Sequence, residues 1–189
     1  MSEGFHVHGP HDHEVEHQAQ HGDPFAGRIA VMTAIFATIG ALFGYMAGAT
    51  QNDALVFKNE AAIRKTEASD QWSFYQAKSS KQNLAELAAV VTTGDAQARY
   101  RTEAERYRKE KDEIMPEAKK LEQQSKEAEE KSEAAMHVHH RWAQATTLIQ
   151  IAIALAAITI LTRNRNLMYG SYGVAAASVV VGALAYAHI

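Results

Sequence analysis

Three stretches of the chain, residues 29–49, 142–162 and 167–187, contain no charged side chain, and each runs for 21 residues. At a helical rise of 1.5 Å per residue, each makes about 30 Å of helix, the thickness of a bilayer's hydrocarbon core. The pattern predicts transmembrane helices over residues 25–50, 142–162 and 167–189. Asp23 followed by Pro24 supplies an N-cap and a first helical position for the first of them. The rival reading is a cleaved signal peptide with Ala47 and Ala49 at its cleavage site; it fails because the apolar run is too long and the leader is acidic.

Between the first two spans, residues 51–141 show a different rhythm. Alternate steps of four and three give Tyr100, Ala104, Tyr107, Lys111, Ile114, Ala118, Leu121, Ser125, Ala128, Ser132, Ala135, His139 and Trp142, an unbroken heptad seam of mostly small residues. No proline or glycine falls between Gln51 and Thr93, and the break comes at Thr92, Thr93, Gly94 and Asp95. Two helical arms of about 42 and 46 residues follow, long enough to leave and return to one membrane surface. Pro116 removes one backbone donor from the return arm, yet the seam passes it without a slip, which predicts a kink and no termination. The fold class expected is an all-α membrane protein: three transmembrane helices, with a long antiparallel coiled-coil hairpin between the first and second.

The outgoing arm has two candidate faces. One is a seam of its own, Val56, Asn59, Ile63, Thr66, Asp70, Ser73, Ala77, Ser80, Leu84, Leu87 and Val91. Opposite it, at seven-residue intervals, lie Ala54, Ala61, Ala68, Tyr75 and Ala89, flanked by Trp72 and Phe74. If the branched seam meets the return arm, the face of Ala61, Ala68, Trp72, Phe74 and Tyr75 is left for a second partner, and a homo-oligomer follows. The plainer alternative packs those aromatics over the chain's own return arm.

Composition narrows the partners. Hydrophobic residues make up 47% of the 189 and charged residues 22%, but the net charge is only -3. The polar insert holds 16 basic and 17 acidic side chains, so no basic field exists for nucleic acid. The chain has no cysteine, which removes disulfides, thiolate metal sites and a cysteine nucleophile. The charges between Arg99 and Glu133 read as a solvated helix face.

Chemistry-bearing groups are few. Six of the ten histidines lie in the polar tail of residues 1–24, where His13, His17 and His21 would share one face of a helix and could ligate Zn, Cu or Ni; the alternative is a polar tail with little to pack. His137, His139 and His140 sit at the expected membrane boundary, where they either bind a metal or a lipid headgroup or are ordinary interfacial side chains; adjacent histidines on a helix point different ways, which favours the second. Gly40, Gly44 and Gly48 form overlapping G-x-x-x-G patterns that let another helix approach closely. Gln150, Thr146, Thr147 and Thr159 offer hydrogen bonds to a neighbouring helix, or would line a pore if an oligomer enclosed one. No acidic or basic residue lies inside the three 21-residue apolar runs, and His188 sits at the chain end, which argues against a coupled transporter. The loop of residues 163–166 carries Arg163 and Arg165 and no acid, so the positive-inside rule places it and the tail in the cytoplasm, with Arg28 agreeing. The polar arms then lie outside, in the periplasm of a Gram-negative host.

The run Ala68-Ser69-Asp70-Gln71-Trp72-Ser73-Phe74-Tyr75-Gln76-Ala77-Lys78, the Glu/Lys helix closing on His137-Val138-His139-His140-Arg141, and Leu148-Ile149-Gln150-Ile151-Ala152-Ile153-Ala154-Leu155 before an arginine-bearing loop resemble a bacterial membrane family known only as a domain of unknown function. The resemblance covers nearly the whole chain. It implies three spans, a histidine-bearing acidic tail and a bacterial inner-membrane location, and it implies no activity. The reading expected is a non-enzymatic, oligomeric membrane scaffold without a cofactor, contacting the lipid bilayer and copies of itself. The alternatives are a metal-binding or metal-responsive protein using the tail histidines, and an oligomeric pore.

Overall fold

The computed structural model describes residues 23–187, and these are helical almost throughout. Helix α1 runs Pro24–Val91, α2 runs Gly94–Thr162 and α3 runs Arg165–Tyr186. Each contains a segment long and apolar enough to cross a membrane. Among the described residues there is no strand.

The breaks are built from local chemistry. At the end of α1 the Thr92 hydroxyl donates to the Ala88 carbonyl at 2.7 Å, and Gly94 takes φ +63°, a left-handed value that glycine adopts without a Cβ clash. Pro116 lies inside α2, which continues on both sides of it. At the end of α2, Arg163 adopts φ 53°, and Asn164 then caps α3 by accepting from the Asn166 amide at 2.9 Å. That cap starts α3 at Arg165, two residues ahead of the apolar run. At the start of α1, Asp23 Oδ1 accepts from the Phe25 amide at 3.0 Å while Oδ2 pairs with Arg163 at 2.9 Å.

The described residues divide into two compact units. The first comprises residues 23–48 and 138–187. Its core joins Ile29, Met32 and Phe36 of α1 to Ile149, Ala152 and Ala156 of α2 and Ala175 of α3. Helix α3 contributes a row of small residues at steps of four and three, Ser171, Ala175, Ser178, Gly182 and Ala185, every one buried. Small side chains let backbones close in. The close approach is used at once: Ser171 donates to the Ala152 carbonyl and Ser178 to the Ala145 carbonyl, each at 2.7 Å. The threonines expected to bridge helices do not. Thr146, Thr147 and Thr159 donate to Trp142, Ala143 and Leu155 of their own helix, since a helical threonine reaches the carbonyl four residues back, and Gln150 is exposed.

The second unit, residues 49–137, is an antiparallel pair of helical arms. Ser132 donates to the Ala54 carbonyl at 2.8 Å, Ser125 to the Ala61 carbonyl at 2.9 Å, and Gln97 to the Ala89 carbonyl at 2.9 Å. Ion pairs Lys58–Glu129 and Lys78–Glu110 follow the same register. On the return arm the seam predicted from sequence is the one that packs: Ala104, Ala118, Leu121, Ala128 and Ser132 are buried. On the outgoing arm the two faces are exchanged relative to expectation. Ala54, Ala61, Ala68 and Ala89 are buried, and the row expected inside, with Val56, Ile63, Leu84, Leu87 and Val91, is exposed. The reason is size. A return seam of alanines and serines favours a short interaxial distance, and only another small residue fits beneath it. Valine, isoleucine or leucine there would hold the axes apart and break the serine-to-carbonyl bonds.

Candidate interaction face

The exchange of faces decides what each singled-out residue does. Ala61 and Ala68, expected to meet a partner, are 3% exposed and belong to the arm-to-arm contact. Trp72 donates its indole N–H to Glu122 at 2.9 Å, and Lys111 lies 5.5 Å from the centre of the Tyr75 ring, so both aromatics engage the return arm. Phe74 alone of that trio is mostly exposed, at 57%. A row of alanines leaves the arms little apolar area, and the flanking tryptophan and tyrosine supply what the row lacks.

Charge lies along the edges of the contact. The ammonium of Lys78 donates to Glu110 and holds that carboxyl below the usual carboxylate range, helped by the nearby charges of Arg106 and Lys81 and opposed by partial desolvation. Arg106, Lys78 and Lys81 also gather around the Tyr107 ring at 4.8 to 5.9 Å.

The far face of the outgoing arm is unlike any other surface of this unit. Leu55, Val56, Ile63, Phe74, Leu84, Leu87, Val90 and Val91 are each more than half exposed. They are all the exposed large hydrophobic side chains of the unit, and none comes from the return arm. The sequence already carried Val56, Ile63, Leu84, Leu87 and Val91 as one row; what it did not announce was that this row would be turned outward, with Leu55, Phe74 and Val90 beside it.

In the first unit the three glycines part company. A Cβ on Gly40 would come within 3.1 Å of Ile149, so that glycine serves a contact within the chain, whereas Gly44 and Gly48 face open space. His139 Nδ1 lies 2.8 Å from the Ala47 carbonyl oxygen, and this nitrogen therefore carries the proton. Among the described residues no three His, Asp or Glu side chains converge as a metal site. His13, His17 and His21 lie outside the described residues.

Against known proteins, the family model described as Domain of unknown function (DUF4337) matches residues 25–188. The chain belongs to that family. The match takes in both described units, so the DUF4337 domain contains the three apolar helices and the paired arms together. No curated protein and no solved structure matches this DUF4337 chain.

Proposed function

We propose that this DUF4337 chain is a non-enzymatic membrane scaffold: three spans root a coiled-coil hairpin in a bacterial inner membrane, and the hairpin engages protein through its outgoing arm. One observation carries the reading. Outside lipid, a helical pair with every large exposed hydrophobic on one arm and none on the other has a face that water does not favour, and such a patch marks an interaction site. The positive-inside rule puts Arg28, Arg163 and Arg165, and with them the tail, in the cytoplasm, and the hairpin in the periplasm. The Asp23–Arg163 pair supports this by keeping the start of α1 beside the loop between α2 and α3.

Topology is tested by placing a single cysteine in a chain that has none. Asp95→Cys should react with a membrane-impermeant maleimide in spheroplasts and Asn166→Cys only after lysis; the reverse order would overturn the orientation. The engagement face is tested by Leu84→Glu with Leu87→Glu. Complexes extracted from the membrane should fall to the size of a lone chain in its lipid belt, and an unchanged size would remove this face, and with it the scaffold reading.

A further inference from the structure

We infer that the exposed row of the outgoing arm pairs with the same row of a second copy, parallel and in register, so that Asp70 meets Asp70 of the other copy in the middle of the contact. This rests on the scaffold reading above, and it names the partner.

The row is a heptad seam in its own right. With Val56, Ile63, Asp70, Ala77, Leu84 and Val91 at the first core position, the second holds Asn59, Thr66, Ser73, Ser80 and Leu87, and all are exposed. Such spacing is matched best by another helix with the same repeat. Parallel pairing also follows from the root. Copies anchored in one membrane send their arms the same way and start at the same height, and confinement raises their effective concentration.

The flanks fit this arrangement. In a parallel pair each residue before a first core position faces the residue five further on in the other copy. Leu55 then faces Glu60, Ala62 faces Glu67, Ser69 faces Phe74, and Gln76 faces Lys81. Every charged flank meets an uncharged one, so no like charges are opposed there. Two of the polar core positions are also prepared for burial. The Thr66 hydroxyl donates to the Ala62 carbonyl at 2.9 Å and the Ser73 hydroxyl to the Ser69 carbonyl at 2.9 Å, so covering them orphans no donor. The eight large side chains, each more than half exposed, offer about 50 Å² apiece, and with a polar rim two copies would cover on the order of 1,000 Å², enough for a specific contact.

Asp70 is the one charged residue of the seam, and it makes the register testable. Two carboxylates apposed across a seam repel, so the pairing is held below its full strength at one layer.

The experiment uses the full-length chain in the membranes that express it. Ile63→Cys, Ala77→Cys and Leu84→Cys, made singly, should each give a disulfide-linked dimer on mild oxidation, and Lys119→Cys on the exposed return arm should not. A parallel pair brings every core position to its own mate, whereas an antiparallel pair does so only near its axis. Cross-linking at fewer than all three positions, or at Lys119 alone, would overturn the inference. Asp70→Asn should lower the dimer's dissociation constant in detergent by about tenfold; an unchanged or raised constant would remove the apposed carboxylates. If Leu84→Glu with Leu87→Glu shrinks the complex while no cysteine cross-links, the partner is another protein: this inference falls and the scaffold reading stands. If that double variant changes nothing, both fall.

Discussion

Gly182→Leu should lower the stability of the three-helix unit by about 3 kcal/mol, at the upper end of the usual overpacking cost. A Cβ at this position would lie 2.7 Å from Cζ and 2.9 Å from Cε1 of Phe43, well inside van der Waals contact. The ring has little room to retreat, because its centroid sits 5.5 Å from that of Trp142, which is itself buried. Leucine adds three further carbons to the clash. Thermal or SDS-induced unfolding of the full chain in detergent measures the loss, and Gly173→Leu is the control, since nothing lies within 4 Å of a Cβ there. Equal losses at the two positions would mean that Phe43 does not depend on the missing side chain.

Ala118→Asp should open the paired arms. Ala118 is 0% exposed, and the register set by Ser125 and Ser132 brings it level with Ala68, also buried. A carboxylate at a fully buried position gives up its water, and a buried charge left without a partner costs about 3 to 5 kcal/mol. Helices in folded proteins draw most of their stability from the packing of one face, so losing the pairing is felt along both arms. The measurable outcome is faster tryptic cleavage at Lys119 and Lys120 and a lower melting temperature by circular dichroism. Lys119→Asp, one residue away on the exposed side, should leave the melt nearly unchanged.

Much of this architecture was legible in the chain, and the parts that were not share a cause. The return seam through Ala104, Ala118, Leu121, Ala128 and Ser132 could be read because its alternative faces are charged. The first break could be read because Gly94 is a residue that backbone geometry selects at a helix end, and the second because the polar run 163–166 interrupts two apolar ones; the cap at Asn164 was not legible. The outgoing arm offered two rows, one of alanines and one of branched residues, and ranking by apolarity chooses the wrong one. What decides is fit: an alanine row is the better complement to a return seam that is itself small. Ser171 and Ser178 were overlooked for a related reason. Hydropathy scores a serine as polar, yet in a packed apolar bundle its small volume and its reach to a facing carbonyl make it a contact residue. The face of Ala61, Ala68, Trp72 and Tyr75 was visible as special, but its specialness belongs to the chain's own interior, and only Phe74 of that group looks outward.

The lopsided surface of the arms also limits how many neighbours each can take. A rod adhesive along two opposite flanks would recruit a third rod, then a fourth, and spread into sheets. Here the return arm turns outward a coat of lysine, arginine and glutamate with no large exposed apolar side chain among its described residues, so the pairing inferred above would leave each rod room for one neighbour. Assembly of that kind would close after a single handshake, with the charged backs of the two joined rods facing water.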